Sequence, residues 1–311
     1  MRYFLAIMIA SQLYATVIQK HQLAPAFVKE GAYMGVKILD SKVLEIDKVD
    51  RMPFFGISDL AYDAKEDIFY ALSDRAKLFT LDIEIKDKHI VAIKALSGKP
   101  LKDKNNRNLW GKYTDSEGLV YHDKRLFISF ERAPRIISYT RDGTKPKTEQ
   151  LPKILQDINH YQGRNDALEA LTWLPNYGLV TTSEYPLRGT RKGYHDIFTQ
   201  KGKHCAIKPV EKGMGITEFE AMADGNLLVL SRRFDFKSFS FQIALQKVFW
   251  ENPKAGICES KVLFWMDSKE GWNIDNFEGL THYKDNLYIM ITDDNNNPFE
   301  KTIVTLFEIK E

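Results

Sequence analysis

The sequence predicts an all-β fold: a single β-propeller, five blades with six as the rival count, its ring closed by N- and C-terminal strands. Three observations predict it. One hairpin motif recurs five times along the chain. The copies are almost evenly spaced. Their strands are apolar on both faces, the pattern of strands covered from both sides.

The copies are GISDLAYDAKEDIFYALSDR (Gly56 to Arg75), DSEGLVYHDKRLFISFER (Asp115 to Arg132), NDALEALTWLPNYGLVTTSE (Asn165 to Glu184), ITEFEAMADGNLLVLSRR (Ile216 to Arg233) and DNFEGLTHYKDNLYIMITDD (Asp275 to Asp294). Each opens on a polar or acidic residue, runs through a short apolar strand, turns, and returns in a strand rich in Leu, Ile, Phe, Val and Tyr. Such runs bounded by Asp, Asn, Lys, Gly or Pro read as antiparallel hairpins. Asp224-Gly225 is the clearest turn.

Aligning Ser58, Glu117, Glu169, Glu220 and Glu278 gives steps of 59, 52, 51 and 58 residues. TIVTLFEIK (Thr302 to Lys310) and VKILDSKVLEI (Val36 to Ile46) can complete one blade together and close the ring. KLFTLDIEI and HIVAIKAL supply outer strands of the first blade, RIISYTR of the second, SFQIALQKVFW and SKVLFWM of the fourth. The Pro- and charge-rich stretches Ser97 to Asn108, Arg141 to Gln150 and Tyr185 to Lys203 are excursions on a propeller face. The expected domain spans 31–311.

Ahead of it, MRYFLAIMIASQLYA (residues 1–15) reads as a signal peptide: Arg2, a short apolar run, and Ala15 before the cut. With no Cys at that cut, no lipid anchor is expected. The apolar run is far shorter than the roughly 20 residues of a spanning helix, so no membrane span is expected. The expected location is periplasmic or secreted. Forty-four Lys and Arg against 42 Asp and Glu leave a charge of +2, which gives no reason to expect nucleic acid. Cys205 and Cys258 either form one disulfide in an oxidising compartment or stay as two buried thiols. There is no nucleophile elbow, P-loop, HExxH or CxxC.

Folding each copy about its turn sets Glu117 beside Glu131, Ser58 near Asp74, Glu169 near Glu184, Glu278 near Asp293 and Asp294, and Glu220 near Arg232 and Arg233. If the opening strand is innermost, these groups crowd one mouth of the channel. Two carboxylates ~8 Å apart at an effective dielectric near 20 repel by about 2 kcal/mol. Arg pairing, raised carboxyl pKa values or a bound divalent cation would relieve that repulsion. The competing reading is that the repeated Glu accepts backbone N–H groups of the next blade and holds the ring.

At these residues the chain resembles the family called esterase-like activity of phytase. DNFEGLTHYKDNLYIMITDDNNNPFEKTIVTLFEIK (Asp275 to Lys310) carries the resemblance best, and GISDLAYD with YALSDR, and SEGLVY with FISFER, match its earlier repeats. Asp59 stands where that family often has Gly, and Thr292 where it often has Ser. The resemblance implies a propeller, export and hydrolysis of phosphoric or carboxylic esters. Carried over by position, it implies site candidates at Glu117, Glu169, Glu220, Glu278, Asp293, Asp294 and Asn295; as carboxylate and amide oxygen donors they are the expected metal ligands, with Ca²⁺ the expected ion.

The expected function is therefore a metal-assisted hydrolase. Glu117, Glu278 and Asp294 would be catalytic, and Arg132, Arg232 and Arg233 would bind the substrate. The expected partner is a small-molecule ester or phosphoester, and the expected state a monomer. The alternative is a non-catalytic propeller that binds a ligand or a protein through the same face. A sugar- or lactone-acting hydrolase would share the metal but not the need for Arg.

Overall fold

The computed structural model describes residues 14–15 and 17–310. Five sheets of four antiparallel core strands stand around a channel. From the inside outward, blade 1 is Ile57–Asp63, Ile68–Ser73, Lys77–Lys86 and His89–Pro100. Blade 2 is Ser116–His122, Arg125–Phe130, Arg135–Thr140 and Lys147–Thr148. Blade 3 is Leu168–Leu174, Gly178–Ser183, His195–Thr199 and Gly202–Ile207. Blade 4 is Gly215–Ala221, Leu227–Asp235, Ser240–Val248 and Ser260–Asp267.

Blade 5 draws on both ends of the chain: Phe277–Lys284, Leu287–Thr292 and Ile303–Ile309, then Val36–Glu45. Each inner strand touches the next, and Phe277–Lys284 touches Ile57–Asp63. The ring therefore closes at five blades, and no degenerate sixth hides in the long repeats. Val17–Lys20 adds a further strand beside Val36–Glu45, so the sheet begins ahead of residue 31. The expected signal segment, residues 1–15, lies outside the described residues except for Tyr14–Ala15, which pair with the edge of blade 1.

The two-sided apolarity of the strands has a direct cause. The core is divided into five apolar clusters, one at each blade–blade interface. Alternate side chains of a strand point to opposite faces, and each face meets a different neighbouring blade. Cys205 and Cys258 form a disulfide, with Cα atoms 5.7 Å apart, that ties blade 3 to the long connection of blade 4. Among the described residues no helix is long and apolar enough to cross a membrane.

Candidate functional site

All five inner strands start at the same end of the channel, and each carries a bulge near its start. Register shifts fall between Ile57 and Asp59, Ser116 and Leu119, Leu168 and Leu171, Ile216 and Glu218, and Phe277 and Gly279. A bulge re-aims the side chain at the extra residue. The residue after each last regular pair is Ser58, Glu117, Glu169, Thr217 or Glu278, so four of the five aligned positions are equivalent. Glu220 is not. It lies three residues deeper, and Thr217 occupies the blade 4 position. The inner strand of blade 4 offers two acids, Glu218 and Glu220, where those of blades 2, 3 and 5 offer one. Counting back seven residues from the turn at Asp224, as from Asp285 to Glu278 in blade 5, would have found Thr217.

The mouth encloses about 220 Å³. Eight carboxyl groups line it, from Asp74, Asp115, Glu117, Glu131, Glu169, Glu184, Glu278 and Asp293, with Asn165 and Asn295. Two guanidiniums, Arg132 and Arg232, face them. Arg232 Nη2 lies 2.9 Å from Glu278 Oε1 and 3.4 Å from Glu184 Oε1. Arg132 Nε lies 2.8 Å from Asp115 Oδ2 and donates to Asn165 Oδ1. The structure thus brings together Glu117, Glu169, Glu278, Asp293, Asn295, Arg132 and Arg232 of the expected set.

Three expected residues do not line the mouth. Asp294 accepts from the backbone N–H groups of Gly56 and Asn296 and from the Thr302 hydroxyl, so it braces the last connection. Arg233 follows Arg232 on a strand and points the other way, donating to Gln242 Oε1 and the Lys212 carbonyl. Glu220 accepts the backbone N–H of His282 and so joins blade 4 to blade 5. Burial pushes its carboxyl up to about 8. That is the ring-holding use weighed for the repeated Glu, made here by a residue three places off the repeat position.

Burial and mutual repulsion disfavour charge on several of the mouth carboxyls and raise their pKa values. Burial, then Asp115, pushes Glu131 up to about 9, although Glu131 accepts the Ala167 N–H. Burial raises Glu117 and Glu169 strongly, and neighbouring carboxylates add to it. Asp293 is raised by burial and then by Glu278. Burial takes Glu184 only to about 7, because Arg232 offsets it. Burial works against the charge on Arg232, but Glu278, Glu184 and Glu169 outweigh it and keep the guanidinium protonated. Glu117 and Glu169 accept no backbone N–H among the described residues, so no ring-holding bond explains them. Asp115, Glu117 and Glu131 each offer an oxygen within 4.8 Å of the others. An all-carboxylate donor set of that size fits Ca²⁺. Asp115 precedes the inner strand of blade 2 and Glu131 follows its second strand; neither was among the expected ligands.

Below the mouth, one residue further along their strands, Asp59 and Glu218 are fully buried. Asp59 accepts the N–H groups of Leu60, Leu280 and Leu119, which belong to blades 1, 5 and 2. Glu218 Oε1 accepts those of Leu171 and Phe219, of blades 3 and 4. Between them the two side chains reach all five inner strands. The Glu218 carboxyl also contacts that of Asp59, and its Oε2 has no other partner among the described residues; two carboxyls in contact are bonded only when they share a proton. Burial raises Asp59 to about 7 even against its N–H bonds, and burial with the nearby Asp59 raises Glu218 well above its ordinary value.

The family described as phytase-like, with esterase-like activity of phytase, matches residues 52–296, most of the chain and all five inner strands. The chain belongs to that phytase-like family. Among solved structures, virginiamycin B lyase from Staphylococcus aureus is similar at 11% identity and a TM-score of 0.43, with 94% of this chain and 99% of that chain covered. The PQQ-bound aldose sugar dehydrogenase from Streptomyces coelicolor is similar at 11% identity and a TM-score of 0.43, with 86% and 98% covered. No curated protein matches. Within this phytase-like propeller, Asp59 departs from Gly118 and Gly279, which hold the same position in blades 2 and 5. That departure supplies the three-blade carboxylate of the channel.

Proposed function

We propose that the protein is an exported hydrolase of phosphoric or carboxylic esters that works with a divalent cation, Ca²⁺, at the channel mouth. The observation that carries this reading is eight carboxyl groups facing two guanidiniums around one small cavity. Membership of the phytase-like family supports it. Asp115, Glu117 and Glu131 would hold the ion, with Glu169, Glu278 and Asp293 beside them. When bound, the ion supplies Lewis-acid polarisation of the ester and a lower pKa for water.

The chain's own residues do the rest. Arg232 is held by Glu278 and Glu184 at the cavity wall, where its guanidinium can take an anionic ester oxygen. Arg132, about half exposed at the rim, gives a second contact. Glu184, near 7, can hold or release a proton at neutral pH, which suits acid–base work. The disulfide is of the kind kept in oxidising compartments and supports export.

The test is thermal melting and turnover of p-nitrophenyl phosphate and p-nitrophenyl butyrate, in chelator and in Ca²⁺. The reading expects a Ca²⁺-dependent rise in melting temperature and turnover of at least one ester, both lost in Glu117→Gln. Indifference of melting and turnover to Ca²⁺ and chelator would overturn it. Saturable Ca²⁺ binding without turnover would leave a ligand-binding propeller instead. N-terminal sequencing of the protein recovered outside the cytoplasm should begin after Ala15.

A further inference from the structure

A second cavity opens on the mouth face, away from the acidic channel. It holds about 350 Å³ between the blade 1–2 connection, residues 101–115, and the third strand of blade 2. Residues 135, 137 and 139 of that strand share one face by the two-residue period, and Arg135, Ile137 and Tyr139 all line the cavity. Trp110, 79% exposed, and Tyr113 complete an aromatic wall.

Two features of the lining ask for a ligand. Tyr139 is 0% exposed, and its hydroxyl has no partner among the described residues. A buried donor left unpaired is costly and uncommon. Arg135 is half-buried, and its guanidinium lies 3.8 Å from the Phe130 ring centre and 5.3 Å from that of Tyr113. It donates to the carbonyls of Ala133 and Tyr113 and forms no ion pair among the described residues. Burial lowers its pKa to about 10, the response of a cation that lacks a counter-charge. The nearest acid of the lining, Asp103, is already engaged by Arg107 and by the N–H groups of Asn105 and Arg107. Lys102 and Lys104 add positive charge to the lining.

We propose that this crevice is a second ligand site, for a small planar aromatic carboxylate. Its carboxylate seats on the Arg135 fork above the Tyr139 hydroxyl, and its ring lies against Trp110 and Tyr113. A guanidinium fork matches a carboxylate in shape and supplies the single positive charge that one carboxylate needs. The aromatic wall supplies a face for a flat apolar body. This site stands independently of ester hydrolysis at the mouth.

The probe is 2-naphthoate, with 2-naphthamide as its neutral counterpart of equal shape, titrated by calorimetry into the full-length protein. Naphthoate should bind at least tenfold more tightly than naphthamide. Trp110→Ala and Tyr139→Phe should each weaken it threefold or more while melting like the parent, since one side chain is exposed and the other loses only an unpaired hydroxyl. Arg135→Lys should abolish the preference for the acid over the amide. Glu117→Gln should leave naphthoate binding unchanged. Equal affinity for acid and amide, no binding at millimolar naphthoate, parental binding by Tyr139→Phe and Trp110→Ala, or loss of binding in Glu117→Gln would each overturn the proposal.

Discussion

Replacing Glu218 with Gln tests the shared proton beneath the mouth. In the folded protein burial and the contact with Asp59 raise Glu218 well above 4.5, the ordinary value near which it ionises in the unfolded chain. The folded state therefore binds the extra proton, and stability falls as pH rises from 4.5. The interval from 4.5 to pH 7 is 2.5 units, so at 1.36 kcal/mol per unit this contribution has a ceiling of about 3 kcal/mol. A Gln amide can accept the N–H groups of Leu171 and Phe219 through its oxygen and donate to Asp59 through its nitrogen. It reproduces the shared-proton arrangement and does not titrate. The variant should match the parent near pH 4.5 and exceed it by up to about 3 kcal/mol at pH 7, roughly 5 °C in melting temperature for 311 residues. The mouth carboxyls have the same sign of pH dependence in both proteins and cancel in the comparison. Urea unfolding and thermal melts in chelator at pH 4.5 and 7 give the answer. A variant less stable than the parent by the same amount at both pH values would refute the shared proton.

Other perturbations follow the same geometry. Arg232→Met removes the guanidinium between Glu278 and Glu184; in chelator at pH 8 it should lose about 3–5 kcal/mol. The loss should shrink at pH 5, below the value near 7 at which Glu184 takes up its proton, as denaturant titration at the two pH values would show. Opening the Cys205–Cys258 bond, which spans 53 residues, should cost about 4 kcal/mol, read as the difference between oxidised and reductant-treated melts and reproduced by the double Ser variant. Gly118→Ala would set a Cβ 2.5 Å from the Glu169 carbonyl and push blades 2 and 3 apart; a loss of about 1–3 kcal/mol is expected in urea unfolding.

Blade number and ring closure were legible in the sequence because two-sided burial leaves a strong mark: apolar runs of strand length, punctuated by turns, at a near-constant period. The mouth was legible where one acid per repeat fell on the bulge, as at Glu117, Glu169 and Glu278. Position along the strand failed where neighbours compete. Asp293 faces the cavity and Asp294 the supporting loop, and Arg232 faces in where Arg233 faces out. In each pair a single-residue step reverses the direction, and composition does not record such a step. The Asp59–Glu218 contact was illegible for another reason. It joins blade 1 to blade 4 across the channel, and neither residue carries a local signal that names the other. Asp59 stood out only as a departure from the family's usual Gly.

The seam in blade 5 sets the order in which the molecule can be finished. Blades 1 to 4 are built from consecutive hairpins and can form as they leave the ribosome. Blade 5 must wait until Ile303–Ile309 has been made and can pair with Val36–Glu45, synthesised long before. The seam works as a latch that fastens only after the last strand of the ring has been made. A premature stop just ahead of residue 303 would not trim an edge from the propeller. It would leave the ring unlatched, with the apolar faces of blades 1 and 5 bare and ready to pair with another chain.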